Sequence, residues 1–123
     1  MKQIIVMDDD PDIREALELI LNAEDYRVVS LVDDRQLEEK IALTPDLFII
    51  DRYLDGSDGL DICRHLKEIP EYHKVPVMMI SGDADIERRA REAGADLVLR
   101  KPFRIKLIRE MVARALCGKY RQE

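Results

Sequence analysis

The chain has 123 residues, 46% of them hydrophobic and 37% charged, with a formal net charge of −6. That length is one domain's worth, and the balance of apolar and charged residues excludes a disordered or fibrous chain. The apolar runs Leu47–Ile50 and Val77–Ile80 are far too short to cross a membrane. The charge is uneven: residues 1–61 carry 17 acidic and 6 basic side chains, and residues 62–123 carry 9 acidic and 14 basic ones. The acidic half argues against direct nucleic-acid binding. In the basic half, Arg88, Arg89, Arg91, Arg104, Arg109 and Arg114 are interleaved with Glu87, Glu92 and Glu110, the pattern of a solvated helix face. Cys63 and Cys117 match no zinc or redox spacing and read as two buried thiols of a reducing cytoplasm. Met1-Lys2 leads straight into a strand-like run, so no signal peptide is expected.

Five apolar runs alternate with five helix-like stretches. The runs are Gln3–Met7, Arg27–Val32, Leu47–Ile50, Val77–Ile80 and Leu97–Leu99. Four are almost wholly apolar, as strands buried on both faces of a parallel sheet are; Arg27–Val32 is mixed and reads as an edge. After the first run, Asp10-Pro11 is an N-cap followed by proline at the first helical position. Ile13, Leu17, Ile20 and Leu21 then recur at helical spacing. Asp34, Ser57 and Asp83 or Asp85 are candidate caps for the next three helices. Ile86, Ala90 and Ala93 form only a thin stripe, predicting a lightly packed helix over 86–93, whereas Ile108, Met111, Val112, Ala115 and Leu116 make a broad one. Repeated strand–helix alternation predicts an α/β three-layer sandwich with a parallel sheet and right-handed crossovers. In such a sheet the residues just beyond every strand share one edge, where ligands bind.

At that edge the first strand ends in Asp8-Asp9-Asp10, the third in Asp51, the fourth in Ser81-Gly82 and the fifth in Arg100-Lys101-Pro102. Asp10 is explained by capping. Asp51, closing a buried run, needs compensation for its desolvation, and carboxylates about 5 Å apart repel by about 3 kcal/mol per pair at an effective dielectric near 20. A Mg²⁺ ion would relieve both. The expected ligands are Asp9 and Asp51 directly, the Tyr53 backbone carbonyl, and Asp8 through water. Positions left open on the ion would receive a phosphoryl donor.

The runs VMDDDPDIR, Asp51 followed by DGSDGL, MMISG and LRKPF, in that order, resemble the receiver domain of bacterial two-component response regulators over essentially the whole chain. The resemblance implies a flavodoxin-like (βα)5 fold with sheet order 2-1-3-4-5 and a single domain over residues 1–123. It implies transfer of a phosphoryl group to Asp51 from a sensor histidine kinase or phosphotransfer protein. Asp8 and Asp9 become the metal-site acids, Ser81 the hydroxyl that swings towards the phosphoryl group, and Lys101 the cation that pairs with it. Lys101-Pro102 is implied to be cis, and Gly82 to leave the donor's approach clear. Such a domain is a regulatory phosphoacceptor, an enzyme only towards its own phosphorylation and dephosphorylation.

Two positions depart from the family pattern, and two more are variable within it. Val98 stands three residues before the lysine, where Tyr or Phe is common, which removes a rotameric aromatic switch. Asp55 stands where proline is common, and Tyr53 and Asp83 occupy variable positions two residues after Asp51 and Ser81. A haloacid-dehalogenase-like phosphatase would need an acid where Tyr53 stands, and an unphosphorylated pseudo-receiver would lack one of the acids or the lysine. The first loop is too anionic for a flavin phosphate, and no GxxxxGK loop is present. Only a few residues come after Leu116, so no output domain is expected within the sequence. The charged faces of 86–93 and 104–116 are the expected docking or weak dimerisation surface, with the downstream partner unspecified. His65 and His73 read as solvated.

Overall fold

A computed structural model describes residues 1–37 and 44–120. Strands β1 (Gln3–Met7), β2 (Arg27–Leu31), β3 (Leu47–Asp51), β6 (Val77–Ser81) and β7 (Leu97–Arg100) form one parallel sheet in the order β2-β1-β3-β6-β7. Two-residue strands β4 (Tyr53–Leu54) and β5 (Ser57–Asp58) make a small antiparallel hairpin beside it. The helices among the described residues are α1 (Pro11–Asn22), α2 (Gly59–Glu68), α3 (Ile86–Glu92) and α4 (Ile105–Leu116), with a 3-10 turn at Asp34–Gln36. The expected order 2-1-3-4-5 is therefore observed across the five long strands. The second expected helix, beyond Leu37, lies outside the described residues.

Period-2 alternation divides the sheet's side chains between two cores. Ile4, Val6, Leu47, Ile49, Met78 and Ile80 meet Leu17 and Leu21 of α1 and Ile108 and Val112 of α4. Ile5, Met7, Phe48, Ile50, Val77 and Met79 meet Leu60, Cys63 and Leu66 of α2 and Ile86 and Ala90 of α3. Each fully buried Leu, Ile, Met or Phe contributes about 1.5–3 kcal/mol. With only Ile86 and Ala90 buried along its length, α3 gains little from this term, in keeping with its thin stripe. Strand β2 is an edge, half-buried along most of its length. Among the described residues no helix is long and apolar enough to cross a membrane.

Three expected caps are corrected. Asp33, not Asp34, caps the 3-10 turn, its extended backbone letting the side chain accept from the Arg35 amide. Asp58, not Ser57, caps α2: both lie in the hairpin strand β5, but Asp58 directly precedes the helix with an extended backbone, and its side chain accepts from the Leu60 amide at 2.9 Å. Neither Asp83 nor Asp85 caps α3: Asp85 sits at the N-cap without a side-chain bond, and the Asp83 carboxylate accepts from Tyr53 instead. Asp10 caps α1 as expected, accepting from the Asp12 amide ahead of Pro11. Cys63 is buried, but Cys117 is exposed, since it falls beyond the Ile108–Val112–Ala115 stripe that α4 turns to the sheet.

Candidate functional site

The C-terminal ends of β1, β3, β6 and β7 carry the polar cluster. Asp8 comes directly after β1 and is 1% exposed; its Oδ1 accepts from the Asp10 amide at 2.9 Å, and its carbonyl accepts from Arg14 at 2.7 Å. Its Oδ2 is buried without a hydrogen-bond partner. Asp9 accepts from the Asp55 amide at 2.5 Å, which draws the tip of the hairpin onto the rim. Asp51 is the last residue of β3 rather than the first beyond it, and the ladder continues past it through Arg52 N donating to Ile80 O at 2.8 Å. One carboxylate oxygen from each of Asp8, Asp9 and Asp51 lies within 4.8 Å of the others. The three acids read from the sequence therefore meet.

Lys101 reaches the same point. Its amide donates to Ser81 O at 2.9 Å, and its Nζ donates to Asp51 Oδ1 at 2.9 Å. The Lys101-Pro102 peptide is cis, as the resemblance implied. Ser81 is buried at the end of β6, where its Oγ accepts from the Asp83 amide at 3.0 Å. Val98 is half-buried and packs against the core on the α2–α3 side. A Cβ at Gly82 would meet only Lys101 Cβ at 3.9 Å, an ordinary contact, so packing alone does not demand glycine there. His73 and His65 are exposed.

Burial sets the electrostatics. Desolvation pushes the Asp8 carboxyl up to about 6, with Asp51 and Asp9 adding to the rise and the Asp10 amide and Lys101 opposing it. Asp51 is likewise raised, chiefly by desolvation, with the Lys101 hydrogen bond and charge pulling it back. An orphaned buried carboxylate oxygen beside two further acids is an unfavourable arrangement by itself. It fits a small, hard, oxygen-seeking cation such as Mg²⁺, which takes one or two carboxylates and retains other ligands.

Several contacts around this cluster carry no local sequence signal. Arg52 is 6% exposed; its guanidinium pairs with Asp58 at 3.1 Å and lies 4.6 Å from the centroid of the Tyr53 ring. Tyr53 Oη donates to Asp83 at 2.7 Å. Gly59, at the first position of α2, sits so close to β3 that a Cβ would lie 2.1 Å from the Asp51 carbonyl oxygen. Glycine opening a helix, where alanine is the better former, is the one hint the sequence held. Gly59→Ala is expected to lower stability by about 3 kcal/mol, the upper end of the overpacking range, by displacing the Asp51 backbone. A urea midpoint within error of wild type would contradict that packing.

Comparison with known proteins adds family membership to this geometry. The profile of the response regulator receiver domain matches residues 4–113. The chain belongs to that family. It is similar to sporulation initiation phosphotransferase F of Bacillus subtilis, 31% identical over 94% of both chains. It also resembles the DNA-binding response regulator MtrA of Mycolicibacterium smegmatis, 34% identical over 99% of this chain and 52% of that one. The receiver domain thus spans about half the length of MtrA. Among solved structures, a putative response regulator from Chloroflexus aurantiacus superposes with a TM-score of 0.88 at 29% identity, covering 94% of this chain and 98% of that one. Receiver domains are the regulatory phosphoacceptors of two-component systems, so the rim just described is the place to look for the acceptor.

Proposed function

We propose that this receiver accepts a phosphoryl group on Asp51, in a Mg²⁺-dependent transfer from a histidine kinase or phosphotransfer protein, and that the adduct switches a protein-interaction surface. The observation that carries the reading is the Lys101 Nζ–Asp51 Oδ1 bond at 2.9 Å beside an Asp8–Asp9–Asp51 cluster within 4.8 Å. Asp9, Asp51 and the Tyr53 backbone carbonyl would hold the cation directly and Asp8 through water. Bound there, the ion supplies charge neutralisation for the transferring oxygens.

The remaining work falls to the chain. A lone pair of the Asp51 carboxylate forms the O–P bond while the donor's P–N bond breaks, and the electron pair leaves with the donor imidazole, which takes a proton from solvent. The product is an acyl phosphate, returned to carboxylate and inorganic phosphate by water. Lys101, already on Asp51, moves its charge onto the phosphoryl oxygens, and Ser81 donates its hydroxyl to one of them. The added charge of about −1.5 to −2 makes these contacts differ between the two states, which is what a population shift requires. The charged faces of α3 and α4 flank β7 and are the surface placed to respond, by docking a partner or by weak self-association. The cytoplasm, where such kinases present their phosphohistidines, is the corresponding compartment.

Incubation with Mg²⁺ and acetyl phosphate should add one phosphoryl group, seen in the intact mass and lost on treatment with hydroxylamine. No incorporation, or an adduct stable to hydroxylamine, would overturn the reading.

A further inference from the structure

Asp83 uses all three of its polar groups, each on a different element. Its amide donates to Ser81 Oγ at 3.0 Å, its carboxylate accepts from Tyr53 Oη at 2.7 Å, and its carbonyl accepts from the Ile86 amide that opens α3 at 3.4 Å. Helix α3 has no side-chain cap of its own, so this long bond is its described tie at the N-terminus. Tyr53 is aimed from the other side: Arg52 lies under its ring, and Arg52 is fixed in turn by Asp58, the cap of α2. The Asp83 hydrogen bond also holds the Tyr53 phenol above its ordinary range, against the opposing charges of Arg52 and Arg89.

We propose that Tyr53 and Asp83 form a brace that positions Ser81 in the resting state and opposes its movement towards the acceptor. The proposal rests on Asp51 being the phosphoacceptor. Ser81 Oγ cannot leave for a phosphoryl oxygen without releasing the Asp83 amide. A released amide wants to move with the loop, yet the Tyr53 hydroxyl holds the same residue by its carboxylate. Tyr53 hangs from the acceptor's own loop, two residues from Asp51, so the brace ties the acceptor loop to the hydroxyl loop and to α3 together. With Val98 in place of a large aromatic on β7, this exposed tyrosine supplies a link between those loops that no ring on β7 can. Tyr53 and Asp83 are thus positioning residues, acting through Ser81 and not on the phosphoryl group.

A brace that favours the resting state weakens binding of any ligand that requires the other state, by the fraction of molecules it withholds. Beryllofluoride, which mimics an aspartyl phosphate, is the probe, titrated in Mg²⁺ and followed through the Gly82 and Lys101 amide resonances. Tyr53→Phe, which removes one hydroxyl, is expected to tighten beryllofluoride binding about two- to tenfold, the weight of one hydrogen bond. The Ile86 amide should exchange faster by a similar factor before the probe is added. Asp83→Ala keeps the backbone amide and should reproduce the effect, and the double variant should add nothing further. A purely structural role would instead weaken binding in both variants. Unchanged or weaker binding by Tyr53→Phe and Asp83→Ala overturns the brace while leaving Asp51 as acceptor intact. Wild-type protein that binds no beryllofluoride in Mg²⁺ overturns the acceptor reading and the brace with it.

Discussion

Asp51→Asn is expected to abolish incorporation of the phosphoryl group while leaving the domain folded. The replacement has the same shape, and its amide oxygen can still accept from Lys101 Nζ, which lies 2.9 Å from Asp51 Oδ1. What it lacks is a carboxylate oxygen able to form an anhydride with phosphorus. Loss of one acid also removes part of the repulsion in a cluster whose oxygens lie within 4.8 Å of one another. At an effective dielectric near 20 that repulsion is about 3 kcal/mol per pair, so the variant should match or exceed the wild-type melting temperature without Mg²⁺ and gain less from its addition. Intact-mass measurement after acetyl phosphate treatment checks the first part, and thermal melts with and without Mg²⁺ check the second. Full incorporation by Asp51→Asn would move the acceptor to another residue, and the Lys101 contact would then have no chemical purpose.

The parts of this site that are legible in the sequence, and the parts that are not, divide along a physical line. Each buried strand announces itself by an unbroken apolar run, because both faces of a central parallel strand are covered, and the polar residue that ends each run falls at the sheet's C-terminal edge. Asp8, Asp51 and Ser81 gather at one rim on that logic alone, and Lys101 stands one residue beyond Arg100, the polar residue that ends the fifth run. The expected strand ends fall short by a residue at Asp51, Ser81 and Arg100 because backbone hydrogen bonding continues after hydrophobicity stops. A cap shifts by one residue where two polar candidates adjoin, as at Ser57 and Asp58, since the choice depends on which residue the preceding turn leaves extended. Cys117 is expected to be buried only because free cysteines commonly are; it stands at the C-cap of α4, beyond the last buried residue, Ala115. Arg52 is hidden for a different reason. A cation beside an acceptor reads as a surface residue, and only the fold brings Asp58 to its guanidinium and Tyr53 over it. The Tyr53–Asp83 bond spans 30 residues and two loops, with no periodicity to betray it.

The second large effect concerns Asp8, whose ionisation opposes folding. Its carboxyl titrates at about 6 in the folded chain against an ordinary value of 3.8. The stability associated with holding that proton is complete below about pH 4, where both folded and unfolded chains are protonated. It declines as the pH rises through about 6, and above that the folded chain carries a buried charge at a cost of about 3 kcal/mol. Asp8→Asn removes the charge and keeps an oxygen for the Asp10 amide, which Asp8 Oδ1 accepts at 2.9 Å. Without Mg²⁺, the variant and wild type should therefore melt together near pH 4 and separate progressively towards pH 7. There the variant should be more stable by about 10 °C for a chain of this size. Saturating Mg²⁺ should close the gap from the wild-type side, because the ion, held through water at Asp8, compensates the charge that the variant has lost. A wild type that equals or exceeds Asp8→Asn at pH 7 in metal-free buffer would mean that protein donors, not a cation, already compensate the buried Oδ2. The need for a metal at this rim would then disappear.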